Sequence, residues 1–443
     1  MSNQKRLILV LIMLLLAALS CDYLPSPDPT TSVDDVIATS VAATVAAGGE
    51  SPTLDPALPT VEPAPESPPF LRIAFVKDGD VWYWEEGGAA AQLTALGDVV
   101  NVHLSSDGTI IAFIRQHDWN NEEIYAVNSD GSNIRALVTL ADFATMILLD
   151  DAISAVPYRI GWVPGTHTLA FNTRMTFEGP GLILPDELRL VDADTNTLSV
   201  LLAPGTAGDF YFSPDGNQIA LVTGDQISVV DVNGSNRRDV LTFPVMITYS
   251  EFTYYPPVVW SPDSTYLRAS IPPHDPLADP PELTTIWHIP ADGTPPSILM
   301  TISNALFFNS EVQISPDAGK VAYSSMVTPG SPPIVDLHIT NADGSADVIY
   351  DSGDRRFHSW STDGEHFIFT EAGHYPKIGR IGYPPLDLTG ITLLVDVNWV
   401  DETQFLYLNR LSGSWELWLR ELGSPGILLA STTGDSISYD FVK

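Results

Sequence analysis

The residue most suggestive of chemistry in this 443-residue chain is an aspartate that returns in one setting. It stands in FSPDG at Phe212–Gly216, and again in LSSDG from Leu104, WSPDS from Trp260, ISPDA from Ile314 and WSTDG from Trp360. Carboxylates at equivalent places of a repeated unit could ring a cation or act as paired acids and bases. The same tetrad is also turn chemistry: Pro presets φ, Asp bonds its own backbone, and Gly accepts φ > 0. An apolar run follows each copy, as a hairpin requires, so these aspartates read as turn formers. No Gly-x-Ser-x-Gly elbow, His-Glu-x-x-His pair, paired-Cys zinc site or phosphate-cradling glycine loop occurs. DADTNT at 192–197 opens like a calcium loop, but Thr197 replaces its sixth-position Gly and Ala203 its twelfth-position Glu, so a β-turn is expected. No metal, cofactor or catalytic residue is assigned.

Stepping from these turns to the elements they join, the chain is internally repetitive. Each unit reads as apolar strand, Ser-Pro-Asp-Gly-like turn, apolar strand, loop, alternating strand, Asp-Gly-Ser-like turn, apolar strand. The second turn is clear in VNSDGSN, DVNGSN, PADGT and NADGS. Units of this kind at intervals of about 40 to 57 residues predict an all-β fold, a single β-propeller of four-stranded antiparallel blades. First turns at Ser105–Gly108, Val163–Gly165, Ser213–Gly216, Ser261–Ser264, Ser315–Gly319, Ser361–Gly364 and Val400–Glu402 mark seven innermost strands. The segment 71–94 supplies later strands of a further unit but no innermost one, while DSISYDFVK ends the chain with a strand and no blade. Eight blades are expected over 71–443, with seven as the alternative, closed by pairing of the two terminal segments so that neither edge is left open. Trp162, Trp260, Trp360 and Trp399 each precede a first turn, and Phe212 and Ile314 hold the same place. That suits packing between blades better than an aromatic ligand cage.

The two turn motifs together resemble the TolB-type, WD40-like propeller repeat of bacterial envelope proteins, across nearly all of 71–443. The resemblance implies an extracytoplasmic propeller and is unspecific for activity. TolB itself carries an α/β domain before its propeller, whereas a proline-rich segment stands there in this chain.

Lys5 and Arg6 precede an unbroken apolar run from Leu7 to Leu19, which suits an export signal rather than a membrane span. ALSC then resembles a bacterial lipobox, with Ala18 in place of the usual Leu. The expectation is a lipoprotein signal peptide over 1–20 and lipidation of Cys21, the only cysteine. Residues 21–70 are rich in Pro, Ser, Thr and Ala, carry eight acidic and no basic residues, and read as a disordered tether. Of the 55 acidic and 20 basic residues in the whole chain, 47 and 18 lie beyond it, a formal charge of −29. That excess argues against nucleic acid and against broad contact with anionic lipid.

Strand order places the first and third turns of every blade on one face, and the second connection and the inter-blade link on the other. The long, irregular connections (116–123, 140–159, 174–187, 244–257, 271–282, 302–311 and 326–334) all fall on that second face. Binding residues concentrate on loops held by a rigid scaffold. The candidates are His117, Trp119, Tyr254, Tyr255, His274, Phe307, Phe308, Arg355, Arg356, His374 and Tyr375. The expected role is a lipid-anchored, monomeric binding or scaffold module of the cell envelope with a protein or peptide partner. The alternatives are a propeller hydrolase or lyase acting on envelope glycans or peptides, and a small-solute sensor.

Overall fold

The computed structural model of the chain describes residues 70–178, 183–280, 282–303, 312–328, 334–371, 375–434 and 437–443. The expected signal peptide, Cys21 and all of the tether but Phe70 lie outside these residues, as do Phe307, Phe308 and His374.

The turns explain the hairpins. In five first turns a buried serine donates its hydroxyl to the aspartate two residues on: Ser105 to Asp107 at 2.7 Å, Ser213 to Asp215, Ser261 to Asp263 and Ser361 to Asp363 at 2.6 Å, and Ser315 to Asp317. The same hydroxyl oxygen accepts a backbone N–H from the opening of the next strand, as from Gln218 at 2.9 Å and His366 at 2.9 Å. One side chain thus satisfies two turn groups that burial would otherwise strand. Gly108, Gly216 and Gly364 take the left-handed position at φ 70°, 71° and 66°. In ISPDAG that position belongs to Ala318 at φ 59°, not to Gly319. DADTNT is a turn as well, with Asp192 Oδ1 accepting the N–H groups of Asp194 and Thr195 at 3.0 and 2.7 Å.

These hairpins build eight four-stranded antiparallel sheets, the blades of a β-propeller. Blade 2 occupies 99–138, blade 3 154–202, blade 4 209–242, blade 5 258–302, blade 6 313–353, blade 7 355–387 and blade 8 394–432. Blade 1 is composite. Arg72–Lys77, Asp80–Glu85 and Ala91–Gln92 are joined by Tyr439–Val442, which pairs Arg72↔Val442 through Phe75↔Tyr439 and holds the place of a first strand. The chain enters blade 1 at Leu71, whose carbonyl accepts the Glu86 N–H at 2.9 Å, on the face of the tight turns. Among the described residues the one α-helix is α1, Leu140–Ala144, in the link from blade 2 to blade 3. Thr139 caps it reciprocally with Asp142, the capping-box exchange.

The core lies between blades. Ala112 and Ile124 of blade 2 pack with Phe171 of blade 3, Val229 of blade 4 with Leu267 of blade 5, and Leu406 and Leu417 of blade 8 with Ile73 and Phe75 of blade 1. The innermost strand of a blade has a sheet partner on one side only. Side chains from neighbouring blades tie it in place: Trp162 Nε1 donates to His103 O at 3.0 Å, Trp260 to Tyr211 O at 2.9 Å and Trp360 to Gln313 O at 3.2 Å, each a first-strand carbonyl that faces the second strand of its own blade. Trp399 Nε1 reaches Ser359 Oγ at 3.1 Å, and Asp440 Oδ2 accepts the Leu104 N–H at 2.7 Å.

Two outcomes follow from this bonding. Trp260→Phe keeps most of the packing and loses the donor, so urea unfolding should report a loss of about 0.5–1.5 kcal/mol, against about 3–5 kcal/mol for Trp260→Ala. The Asp215 carboxyl is held down to about 2 by the Ser213 hydroxyl and the Asn217 side chain. Its folded value lies below the unfolded value of about 3.9, so its contribution is complete above that value and disappears as pH falls through about 2. Asp215→Asn should therefore flatten the stability–pH curve between those limits.

Candidate functional site

The long link 244–257 gives the loop-rich face its most continuous feature. Met246 and Pro256 are buried and fasten it, while Val245, Ile247, Tyr249 and Phe252 remain exposed. It crosses the second connection of blade 4 so closely that a Cβ on Gly224 would overlap the Thr253 methyl. Toward blade 5, His274 donates through Nδ1 to Val245 O at 2.5 Å, the Ile247 N–H donates to His274 O at 2.8 Å, and Tyr249 donates to Asp275 Oδ1 at 2.7 Å. Toward blade 3, Tyr255 donates its hydroxyl to Asp186, 3.0 and 2.9 Å from the two carboxylate oxygens. One segment therefore bridges blades 3, 4 and 5.

Beneath that bridge is a group of carboxylates with too few cations. Asp186 sits at φ 53°, and its carbonyl accepts the Ala207 N–H at 2.6 Å and the Thr206 N–H at 3.1 Å. Burial raises its carboxyl above the ordinary range, against the Tyr255 hydrogen bond and with help from the charges of Asp209, Glu187 and Asp225. Burial likewise raises Asp209, which the Arg159 guanidinium offsets only in part. Arg159 Nη1 stands 3.5 Å from Asp209 Oδ2, and its guanidinium lies 4.1 Å from the Tyr211 ring centre. Asp209 Oδ1 is shielded from solvent and has no hydrogen-bond partner. Glu187, fully buried, accepts from Thr173 Oγ1 at 2.6 Å and pairs with Arg189 at 3.3 Å, and its Oε2 is also unmatched. Burial alone raises Tyr255 most, and the Asp186 charge adds to it.

Tyr254, Tyr255 and His274 are thus brought together by the link. The remaining candidates stand apart. His117 ends the second strand of blade 2, with Nε2 2.9 Å from Glu123 and Nδ1 3.3 Å from Asp98. Arg115 holds Asp98 at 2.7 Å, and Glu123 Oε1 accepts the Leu140 N–H at 3.0 Å, so this network fixes the entry to α1. Trp119, at the tip of the same hairpin, is 63% exposed. Arg355 clamps blade 6 to blade 7 through Asp351 at 3.0 Å and Glu371 at 2.9 Å, with its side chain only 7% exposed. Arg356 and Tyr375 are exposed. Asp186, Glu187, Asp209 and Arg159 were not among the sequence candidates; the only sequence hint is the Asp-Glu pair closing the loop 174–187.

Among the described residues no group of three or more His, Cys, Asp and Glu could hold a metal ion. His103 and His358, on the first strands of blades 2 and 7, are both pushed down to about 4 by burial and stay neutral at physiological pH.

Fold and site together define a β-propeller with one stereotyped and one variable face. No family model matches the sequence, and no curated protein matches it significantly. Among solved structures it is similar to dipeptidyl peptidase 4 of Porphyromonas gingivalis, with a TM-score of 0.50 and 9% identity over 78% of this chain and 55% of that one. It is also similar to an oligogalacturonate lyase in complex with manganese (TM-score 0.43, 12% identity, 68% and 81% covered) and to TolB from Acinetobacter baumannii (0.33, 15%, 62% and 61%). At these identities the likeness concerns fold alone.

Asp209 carries a folded value raised above the unfolded one, so its contribution is complete at low pH and is lost as pH rises through the folded value. Asp209→Asn should raise the urea midpoint at pH 7 and leave it unchanged below about pH 3.9, the unfolded value. Gly224→Val should lift the link, and hydrogen exchange should then accelerate at 244–257 while Gln218–Val222 stays protected.

Proposed function

We propose that this protein is a lipid-anchored, extracytoplasmic β-propeller that binds another envelope protein through its loop-rich face and has no catalytic activity of its own. The observation that supports this reading most is where exposed apolar side chains fall. Leu277, Tyr249 and Phe252 are 66%, 59% and 53% exposed, and Trp119, Leu148, Leu149 and Leu283 accompany them, all on connections of blades 2 to 5 on the loop-rich side. Scattered apolar residues are ordinary on a protein surface, whereas a set gathered on neighbouring loops and rimmed by charge is the signature of an interaction site. Further exposed apolar residues lie on outer strands, such as Val200, Ile349, Leu386 and Leu428, and at third turns on the tight-turn face, Ile134 and Tyr383. Entry at Leu71 joins the polypeptide to the propeller on the side away from the loops.

The anchor rests on Lys5, Arg6, the apolar run to Leu19 and the ALSC sequence ending at Cys21. A diacylated cysteine carries more than one chain, which is what stable attachment needs. The tether then gives the propeller reach without a fold of its own.

Cys21→Ser should abolish labelling by radioactive palmitate and release the protein from the membrane fraction. With the anchor intact, the triple substitution Tyr249→Ser, Phe252→Ser and Leu277→Ser should reduce recovery of one stoichiometric envelope partner at least about tenfold, equivalent to about 1.4 kcal/mol. Undiminished recovery by that variant, with loss on replacing tight-turn residues instead, would refute the reading.

A further inference from the structure

We infer that the partner of the loop-rich face is a basic polypeptide segment, whose Lys or Arg side chains reach the Asp186–Asp209 group while its apolar side chains settle on the link 244–257. This rests on the binding role proposed above and names the chemistry of the partner.

Three observations carry it. The first is the imbalance of charge at the bridge. Asp225, Glu251, Asp275, Asp279 and Glu282 surround it, and the cation facing the Asp186–Asp209 group is Arg159, already spread between Asp209 and the Tyr211 ring. The second is the unmatched carboxylate oxygen. Asp209 Oδ1 accepts no hydrogen bond and Arg159 meets only Oδ2 at 3.5 Å, so the carboxylate's charge is left incompletely balanced, and an ammonium or guanidinium arriving at the partly exposed Asp186–Asp209 surface would offset it. The third is adjacency. Tyr255 bonds Asp186, and the same link exposes Ile247, Tyr249 and Phe252, so apolar and anionic surfaces are one continuous patch. Complementary potential steers such a partner and rejects the wrong ones. An anionic lipid surface, a nucleic acid and a second copy of this chain all carry the sign that this patch repels.

The probes are three synthetic peptides, one of Lys and Leu in amphipathic alternation, one with Glu for every Lys and one with Ser for every Leu. They are titrated against the full-length lipoprotein in neutral detergent. The Lys–Leu peptide should bind saturably, at least about tenfold more tightly than either control, and weaken as salt rises because screening shortens to about 8 Å at physiological ionic strength. The double variant Asp186→Asn, Asp209→Asn should lose that advantage while its thermal melt at pH 7 shows it folded. The triple variant Asp130→Asn, Asp292→Asn, Asp343→Asn, which removes three exposed carboxylates from the tight-turn face, should bind as the parent does. Equal binding of the Glu–Leu peptide, or equal weakening by the turn-face triple, would overturn the inference. The broader binding role would survive that result if partner recovery still depended on Tyr249, Phe252 and Leu277; if it did not, both would fall.

Discussion

Every first strand in this molecule has one hydrogen-bonded edge and one that its own blade cannot serve. Neighbouring blades reach these strands through side chains. A tryptophan indole from the following blade donates to a first-strand carbonyl that already faces its own second strand, at Trp162, Trp260 and Trp360. Blade 1 uses a different device, the Asp440 carboxylate on the Leu104 N–H. These directional bonds join neighbouring blades at their first strands, and apolar clusters fill the spaces between the sheets.

The same economy separates the two faces. On one, a Ser–Asp pair closes five of the first hairpins with local bonds, and neighbours add lateral links such as Arg72 to the Asp107 carbonyl at 2.7 Å and Lys320 to Glu365 at 2.7 Å. Little there is free to vary. On the other, connections are long, and stability comes from a few fastened points such as Met246, Phe143 and the Arg355 clamp. That is where apolar side chains stay exposed and where the carboxylates of Asp186 and Asp209 are held above their ordinary range, a cost a stability-optimised surface would not keep.

Much of this was legible in the sequence because it is local. A turn is specified by four or five residues, so the Ser-Pro-Asp-Gly copies gave the hairpins, their spacing gave the blades, and the unmatched segments at 71–94 and 437–443 gave the count of eight. Ala318 shows the limit of that reading: the glycine next to it looked like the left-handed residue, and the backbone places the strain one position earlier. The carboxylate group was not legible. Asp186 and Tyr255 belong to two different connections and Asp209 opens the first strand of blade 4, so only the fold sets them side by side. Conversely His117 and Arg355 have the residue types of a site, yet their carboxylate partners hold His117 in a hydrogen-bonded network and Arg355 in an ion-paired one, both joining structural elements.

The turns hold the propeller, and the loops are proposed to meet a partner. Hydrogen exchange of the full chain, with and without its captured envelope partner, tests this division most directly. The account predicts new protection across 244–257 and 271–282 and none at the first turns near Ser105, Ser213, Ser261 and Ser361. Protection confined to those turns, with the loops unchanged, would contradict it.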